Sequence, residues 1–328
     1  MKKVSIIIPA FNAERFINRS IGSALKQTYK NIEIIVIDDG STDATYAIAQ
    51  GYEAEFEFIK LIHTANGGVC QARNIGLDNI TGEYVTFLDA DDTLIDSAVE
   101  KMVTVMEKTD ADMAEFFGSR GSNSGKISIW TGTTALQKSI EDNPRTYSAC
   151  RKMYKAKFLS DVRFTVGRRV HEDSFFVFEC LCKCPRMAIC NFPVYNTYFT
   201  PNSAAREAFS DKFLDILYFA ARKREIIEKC FPEFAEKAKN ITVKANMCLL
   251  GKLFNSYNLS KEQKGYISAC IKEVIKYKKN FIPSIKRDKK MFFIICHHLY
   301  KPARLVKMIR KRCLNGSNSF KKGGCKKI

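Results

Sequence analysis

The first 120 residues alternate between the hydrophobic pattern of strands and that of helices. Residues 4–8 form an almost continuous apolar run, which is typical of a strand buried on both faces of a parallel sheet. Residues 14–27 instead place Ile17, Ile21 and Leu25 at helical spacing. The same criteria predict strands at 32–37, 56–62 and 84–88 and helices at 69–80 and 97–108. This order predicts an α/β fold with a mostly parallel central sheet flanked by helices.

The hydrophobic pattern changes in the rest of the chain. Residues 118–132 are rich in Gly and Ser, which predicts a flexible loop or hairpin. From about residue 205 the pattern is mainly helical, as in the stripe Phe213, Ile216 and Ala220. The expected organisation is a domain at 1–204 with halves at about 1–117 and 118–204, a helical C-terminal region at 205–283, and a tail at 284–328.

Basic charge is concentrated in this tail. The net charge of the chain is +18, and residues 284–328 contribute +13 of it, from 14 Lys and Arg against the single acid Asp288. Apolar residues such as Leu305 and Ile309 are interleaved with the cations, which suits adsorption to an anionic membrane surface. A terminal helix docked on the protein, with a solvated basic face, is the alternative. No nucleic-acid partner is expected, because no recognised nucleic-acid-binding module surrounds the tail.

Neither a secretory signal nor a membrane span is expected. The first apolar run stops at Pro9 and is too short for a signal peptide, and no run approaches the roughly 20 apolar residues that cross a bilayer. Without an export signal, the 12 cysteines are expected to be reduced thiols. These features predict a cytoplasmic protein, peripheral on the inner face of the cell membrane if the tail binds lipid.

Two carboxylates, Asp38 and Asp39, follow the predicted strand at 32–37. Ligands of open α/β sheets bind beyond the carboxyl ends of the strands, where a carboxylate can accept a hydrogen bond from a nucleobase N–H or a ribose hydroxyl. In the alternative interpretation Asp39 starts a turn, and Ser41 or Thr42 caps the next helix.

Asp89 and Asp91 follow the predicted strand at 84–88. Side chains two residues apart in extended backbone lie on one side, so both carboxylates can approach one divalent ion. Such an ion would bridge diphosphate oxygens and neutralise charge on a leaving nucleoside diphosphate. Acids in an ordinary turn are the alternative.

A glycine pair, Gly67 and Gly68, leads into the helix that carries Arg73. A helix N-terminus favours anions, and Arg can bind a phosphate through two N–H groups. A glycine-rich turn with a solvated Arg is the alternative. The spacing is neither that of a dinucleotide-binding fingerprint nor that of a Walker loop, which argues against a dehydrogenase or a P-loop enzyme.

Glu172 and Asp173 open an amphipathic helix. A carboxylate near an acceptor hydroxyl can remove its proton as the oxygen attacks the anomeric carbon of a sugar. The alternative is an acid favoured at a helix start by the macrodipole.

Together these motifs resemble the family-2 glycosyltransferases over most of residues 4–176. The residues that carry the resemblance are 4–12, 27–29, 38–43, 72–76, 82–84, 87–92 and 172–173. The resemblance implies a GT-A fold, a nucleotide-sugar donor and Mg²⁺ or Mn²⁺ as cofactor.

The resemblance also implies a role for each matched residue. Pro9, Phe11 and Asp39 would line the nucleoside pocket, and Arg73 would approach the diphosphate. Asp89 and Asp91 would hold ribose and metal, and Asp173 would be the general base. A single carboxylate base with in-line attack predicts inversion at the anomeric carbon.

The resulting hypothesis is an inverting transferase that moves a hexose or N-acetylhexosamine from a nucleotide-diphosphate sugar. The donor that we expect is a UDP-sugar. The acceptor would be a glycan or a lipid-linked saccharide in cell-surface polysaccharide synthesis. A nucleotidyltransferase is disfavoured, because residues 9–12 after the first strand contain no glycine-rich basic loop. A non-catalytic nucleotide-binding or membrane-associated scaffold protein, which would not need Asp173, is the other alternative.

Overall fold

Strands and helices alternate along the chain in the computed structural model, which describes residues 1–118, 125–141, 148–198, 207, 209–254, 256, 259–282 and 286–296. The chain divides into two units, Met1–Ala205 and Arg206–Ile328. All the candidate site residues named above belong to the first unit.

Parallel strands form the first half of the central sheet in the described residues. They are β1 Val4–Ala10, β2 Ile32–Asp38, β3 Ile59–His63 and β4 Tyr84–Phe87. Their order in space is β3-β2-β1-β4; β1 lies between β2 and β4, and every one of its residues is buried. Since the four strands run in the same direction, their carboxyl ends lie along one edge of the sheet.

The second half of the sheet is mixed. It contains β6 Met113–Phe117, β7 Ile127–Thr131, β8 Lys152–Lys155 and β9 Arg186–Asn191. Strand β8 lies antiparallel between β4 and β6, β9 is parallel to β6, and β7 closes the edge antiparallel to β9. Two short strands, β5 Thr93–Leu94 and β10 Tyr195–Asn196, form a separate antiparallel pair. The predicted α/β class with a central sheet is confirmed, with parallel strands confined mainly to the first half.

Helices cover the sheet on its faces. They are α1 Ile17–Leu25, α2 Thr45–Glu55, α3 Val69–Asp78, α4 Ala98–Thr109, α5 Gly132–Ile140 and α6 Glu172–Lys183. Helix α3 packs on β1 and β2, and α4 packs on β6, β8 and β9. The approach of α3 depends on Gly76, where an added Cβ would lie 2.4 Å from the Ile7 Cγ2 atom. A side chain at this position would push the helix that carries Arg73 away from the sheet.

The structure differs from the local predictions at two places. Residues 118–132 were predicted as a loop or hairpin, but residues 127–131 form β7. Backbone hydrogen bonds with β9 stabilise this strand, although its local sequence has no clear strand pattern. Residues 119–124 of that segment lie outside the described residues. Helix α2 was not predicted, since it buries only Thr45 and Ala49 and so has little hydrophobic periodicity to detect.

The second unit is helical in its described residues, as predicted for the C-terminal region. It contains α7 Asp215–Cys230, α8 Ala235–Phe254, α9 Lys261–Lys276 and α10 Lys286–Cys296. Helix α8 packs against both α7 and α9, and α10 packs on α9. Helix α10 covers the beginning of the predicted basic tail, and residues 297–328 lie outside the described residues. In the described part of the chain, none of the helices has the length and apolar character needed to cross a membrane.

At the amino ends of the strands, Glu33 joins three segments of the first unit. Its carboxylate accepts hydrogen bonds from the Ser5 hydroxyl (2.5 Å) and from the backbone N–H (2.6 Å) and hydroxyl (2.6 Å) of Thr81. The Lys3 ammonium lies 2.9 Å away. Although burial opposes ionisation, these hydrogen bonds lower the pKa of Glu33 to about 2. The ionised carboxylate therefore ties β1, β2 and the start of β4 together.

We predict that Glu33→Gln lowers the free energy of unfolding at pH 7 by about 2 kcal/mol. Because the pKa of Glu33 is lower in the folded state than its ordinary value of 4.5, its contribution is complete above pH 4.5 and is lost as the pH falls towards about 2. Urea unfolding can be followed by the fluorescence of Trp130, the chain's one tryptophan, which lies on β7. Equal stability of the two proteins at pH 7 would contradict this.

Candidate active site

The loops after β1 and β2 are joined to each other at the carboxyl edge of the sheet. The Asn12 N–H donates to the Ser41 hydroxyl (3.0 Å), and the Thr42 N–H donates to the Asn12 side chain (2.9 Å). Asn12 adopts a φ of 47°, a left-handed conformation that Asn tolerates better than most residues. Of the two predicted nucleoside contacts nearby, Pro9 is buried near the end of β1, and Phe11 lies in the loop that follows and is 50% exposed. An exposed aromatic ring on a rigid loop is suited to stacking on a planar base.

Asp39 links this edge to the start of α3. Its side chain is almost fully buried, and its two oxygens accept hydrogen bonds from the N–H groups of Gly67 and Gly68, each at 2.8 Å. Gly40, the next residue, has a φ of +71°, and an added Cβ would lie 2.7 Å from the Asn66 backbone nitrogen, so this close approach of the two loops requires glycine. The carboxylate thus has protein donors of its own, and its contact with a nucleoside stays a prediction.

Its neighbour Asp38 lies inside the sheet. The side chain is fully buried, and its Oδ2 atom lies 2.6 Å from Nδ1 of His63 at the end of β3. The two adjacent acids of the motif therefore face different surroundings, and only Asp39 belongs to the loop edge.

The centre of the candidate site is an ion cluster around Arg73, comprising Arg73, Asp89, Glu172 and Asp173. The Arg73 side chain is 5% exposed; its Nη2 atom donates to Asp89 Oδ1 at 2.9 Å and its Nη1 atom donates to Asp173 Oδ1. Glu172 Oε1 lies 3.8 Å from Nη1. Arg73 thus contacts Asp89, which lies 16 positions away in the sequence, and Asp173, which lies 100 positions away. The guanidinium faces carboxylates, and its predicted contact with a diphosphate stays a prediction.

Aromatic packing and a side-chain clamp hold Arg73 in place. The Arg73 guanidinium lies 5.2 Å from the centroid of the Phe164 ring, which stacks on Phe176 of α6 at 3.9 Å. Asn74 forms two hydrogen bonds with the Phe164 backbone, to its N–H (2.8 Å) and its C=O (2.9 Å). Helix α3 and the segment leading to α6 are therefore joined at the residues next to the cluster.

Burial and mutual charge set the ionisation of the cluster. Burial by itself would lower the pKa of Arg73, but the charges of Asp173 and Asp89 raise that pKa well above its ordinary value. Burial raises the pKa of Asp173, an effect that Arg73 opposes and Asp89 reinforces. Burial and the charge of Asp173 raise the pKa of Glu172 to about 7. A carboxylate with a raised pKa is better matched to accepting a proton near neutral pH.

The turn at residues 89–92 is held by its neighbours. The hydroxyl of Tyr195 accepts the Asp89 N–H at 3.1 Å, and Arg19 of α1 donates to the backbone carbonyl of Asp91 at 2.6 Å. Asp92 is buried and accepts the N–H of Tyr198 at 2.8 Å, and its pKa is raised to about 6, chiefly by burial. The sequence assigned no supporting role to these residues, because they lie on α1 and on or next to β10, far from the motif along the chain.

Asp89 and Asp91 of this turn are the predicted ligands of a divalent cation. Among the described residues, no three His, Cys, Asp or Glu side chains form a group that could hold an ion. Mg²⁺ is commonly bound through one or two carboxylates together with substrate phosphates. Asp89, whose side chain is 35% exposed, and Asp91 lie in the same turn, and their role as metal ligands stays a prediction.

The sequence profile described as Glycosyl transferase family 2 matches residues 5–175. That span includes every candidate site residue. The chain therefore belongs to glycosyl transferase family 2.

Three known proteins illustrate the likeness. Glycosyltransferase GlyA of Streptococcus pneumoniae is 29% identical over 238 residues, which are 68% of this chain but 34% of GlyA. The structure of S. aureus TarS 1–349 with UDP-GlcNAc has a TM-score of 0.67 at 19% identity, covering 93% of this chain and 92% of that one. The mannosyltransferase PcManGT from Pyrobaculum calidifontis, with GDP-Man and Mn²⁺, has a TM-score of 0.53 at 16% identity, covering 93% and 82%. The two structures show the shared fold, and the expected GT-A architecture is confirmed.

We predict that Arg73→Met lowers the free energy of unfolding of the first unit by about 3–5 kcal/mol, because it leaves three partly buried carboxylates without their cation. Urea unfolding monitored through Trp130 measures the change. Arg15→Met is the control, since Arg15 is exposed in the same unit, and such surface changes usually alter stability by less than about 0.5 kcal/mol. Equal effects of the two substitutions would show that the cluster does not stabilise the fold.

Proposed function

We propose that this protein is an inverting glycosyltransferase that transfers a hexose or N-acetylhexosamine from a nucleotide-diphosphate sugar. The observation that carries the proposal is the ion cluster, in which one buried arginine binds both Asp89 and Asp173. The proposed metal ligand Asp89 and the proposed general base Asp173 are thereby bound to the two terminal nitrogens of one guanidinium. Membership of family 2 supports the same reaction class.

In the proposed reaction an acceptor hydroxyl attacks the anomeric carbon of the donor sugar. The bond from that carbon to the diphosphate oxygen breaks, and the Asp173 carboxylate takes the hydroxyl proton. Attack on the face opposite the leaving diphosphate inverts the configuration, so that an α-linked donor gives a β-linked product. The raised pKa of Asp173 favours this proton transfer.

Asp91 and Asp89 would hold Mg²⁺ or Mn²⁺, and Asp89 would also contact the ribose. When bound, the ion would supply positive charge to the diphosphate as it departs. Pro9 and Phe11 would enclose the nucleoside, with Asp39 at the side of the pocket. Arg73 would orient the two acids, and its cationic charge would also favour an approaching diphosphate.

A UDP-sugar is the proposed donor. TarS binds UDP-GlcNAc and PcManGT binds GDP-Man, so both nucleotides belong in a test. The proposed acceptor is a glycan or a lipid-linked saccharide used in cell-surface polysaccharide synthesis. We place the reaction in the cytoplasm, with the protein attached peripherally to the inner face of the membrane.

We predict that one nucleotide sugar from a panel, incubated with Mn²⁺, releases its nucleoside diphosphate, and that Asp91→Ala abolishes the release. Asp173→Asn should reduce kcat at least about 1,000-fold while leaving the donor Kd within about twofold, because the base acts after binding. Asp96→Asn is the matched control, since Asp96 is an exposed acid that closely follows the same turn. Unchanged turnover in Asp173→Asn would refute the assignment of the base.

The basic tail gives a second test. We predict that removing residues 297–328, which leaves α10 in place, reduces binding to vesicles containing phosphatidylserine at least tenfold, because each cation near an anionic surface contributes about 1 kcal/mol. Neutral phosphatidylcholine vesicles are the control. Equal binding of the full-length and shortened chains would contradict a membrane role for this segment.

A further inference from the structure

A lysine is buried in the middle of the sheet, beside the ion cluster. Lys152 is the first residue of β8, and its side chain is 1% exposed. Its ammonium lies 3.1 Å from the carboxylate of Glu115, which is the register partner of Lys152 on β6 and is itself 7% exposed. Both charges are therefore removed from water at a position that an apolar pair could fill.

Stability alone does not account for such a pair. Desolvation of two charges can exceed their mutual attraction, and replacement of a buried ion pair by apolar side chains of similar size is often neutral or stabilising. The remaining contacts of Lys152 point to another role.

The Lys152 ammonium also donates to the backbone carbonyl of Ser148 at 2.5 Å. The Ser148 carbonyl and the Ala149 N–H belong to one peptide group, which is planar and in which the two bonds point in opposite directions. The Ala149 N–H lies 3.4 Å from Oδ2 of Asp173. One rigid peptide group thus has the lysine on its carbonyl side and the candidate base on its N–H side.

Neighbouring contacts hold the same segment. The Tyr154 hydroxyl donates to the Ala149 carbonyl at 3.1 Å, and Thr86 of β4 donates to the Lys152 carbonyl at 2.8 Å. Asp173 Oδ1 is bound by Arg73. The two carboxylate oxygens of Asp173 are therefore oriented from two directions, by a guanidinium and by a backbone N–H.

We infer that Lys152 is a positioning residue for the reaction: through the peptide group joining Ser148 and Ala149, its ammonium holds the Asp173 carboxylate in the orientation that removes the acceptor proton. Glu115 balances the buried charge of Lys152. This inference rests on the proposed role of Asp173 as general base. It predicts an effect on turnover and none on donor binding, because the base acts on the acceptor.

The test compares the full chain with a double variant, Lys152→Met with Glu115→Leu, which removes both charges. We expect a thermal midpoint within a few degrees of the parent, a donor Kd within about twofold, and kcat reduced about 10- to 100-fold, since small misplacements of a catalytic group have effects of this size. Tyr154→Phe removes the support of the Ala149 carbonyl with little change in shape and should also lower kcat. It carries the test alone if the double variant does not fold.

Glu33→Gln is the control, because it disturbs a hydrogen-bond network at the other end of the strands and should leave kcat unchanged. Normal kcat in the folded double variant, or in Tyr154→Phe when only that variant folds, would overturn the inference. Parallel losses of stability, donor binding and turnover would also overturn it, because they would indicate general damage. If Asp173→Asn keeps full turnover, the proposed function fails as well. If Asp173→Asn is inactive while the double variant turns over normally, only the proposed role of Lys152 fails.

Discussion

Much of the first unit depends on one requirement, the neutralisation of a buried arginine. Arg73 lies on α3, and its carboxylate partners come from the turn after β4 and from the first turn of α6. A guanidinium this deeply buried is tolerated only where acids neutralise its charge. The need for those partners brings three distant segments to one edge of the sheet. The close packing of Gly76 on β1 and the two hydrogen bonds of Asn74 with Phe164 then fix the position of α3, and so of Arg73, at that edge.

The reversal of β8 completes this arrangement. In a sheet of only parallel strands, the carboxyl edge would be lined by strand ends followed by loops. Because β8 runs antiparallel to β4 and β6, its amino end returns to the same edge and carries the segment at 148–150 towards Asp173. The candidate base is thereby supported by backbone from one part of the chain and by a guanidinium from another.

The sequence was sufficient for features that are local. Strand β1 was predictable from its apolar run. The local patterns around Asp89 and Asp173 were ambiguous by themselves, and these acids were singled out by the resemblance of the combined motifs to family 2. The burial of Arg73 was not predictable from its surroundings, since Gly67 and Gly68 indicate an exposed turn and nothing nearby indicates that Asp173 lies against it. The contacts of Tyr195 and Lys152 were not predictable for the same reason. Their contacts depend on strand pairing, which no short pattern encodes.

The ion cluster also affects how the fold responds to heat. The hydration of charged groups becomes less favourable as temperature rises, so the cost of keeping Arg73 and its carboxylates away from water declines. The stabilisation contributed by apolar contacts, such as those of β1 with its neighbours, levels off over the same range. On warming, the charged edge of the sheet therefore supplies a growing share of the interactions that hold α3, α6 and the turn after β4 together.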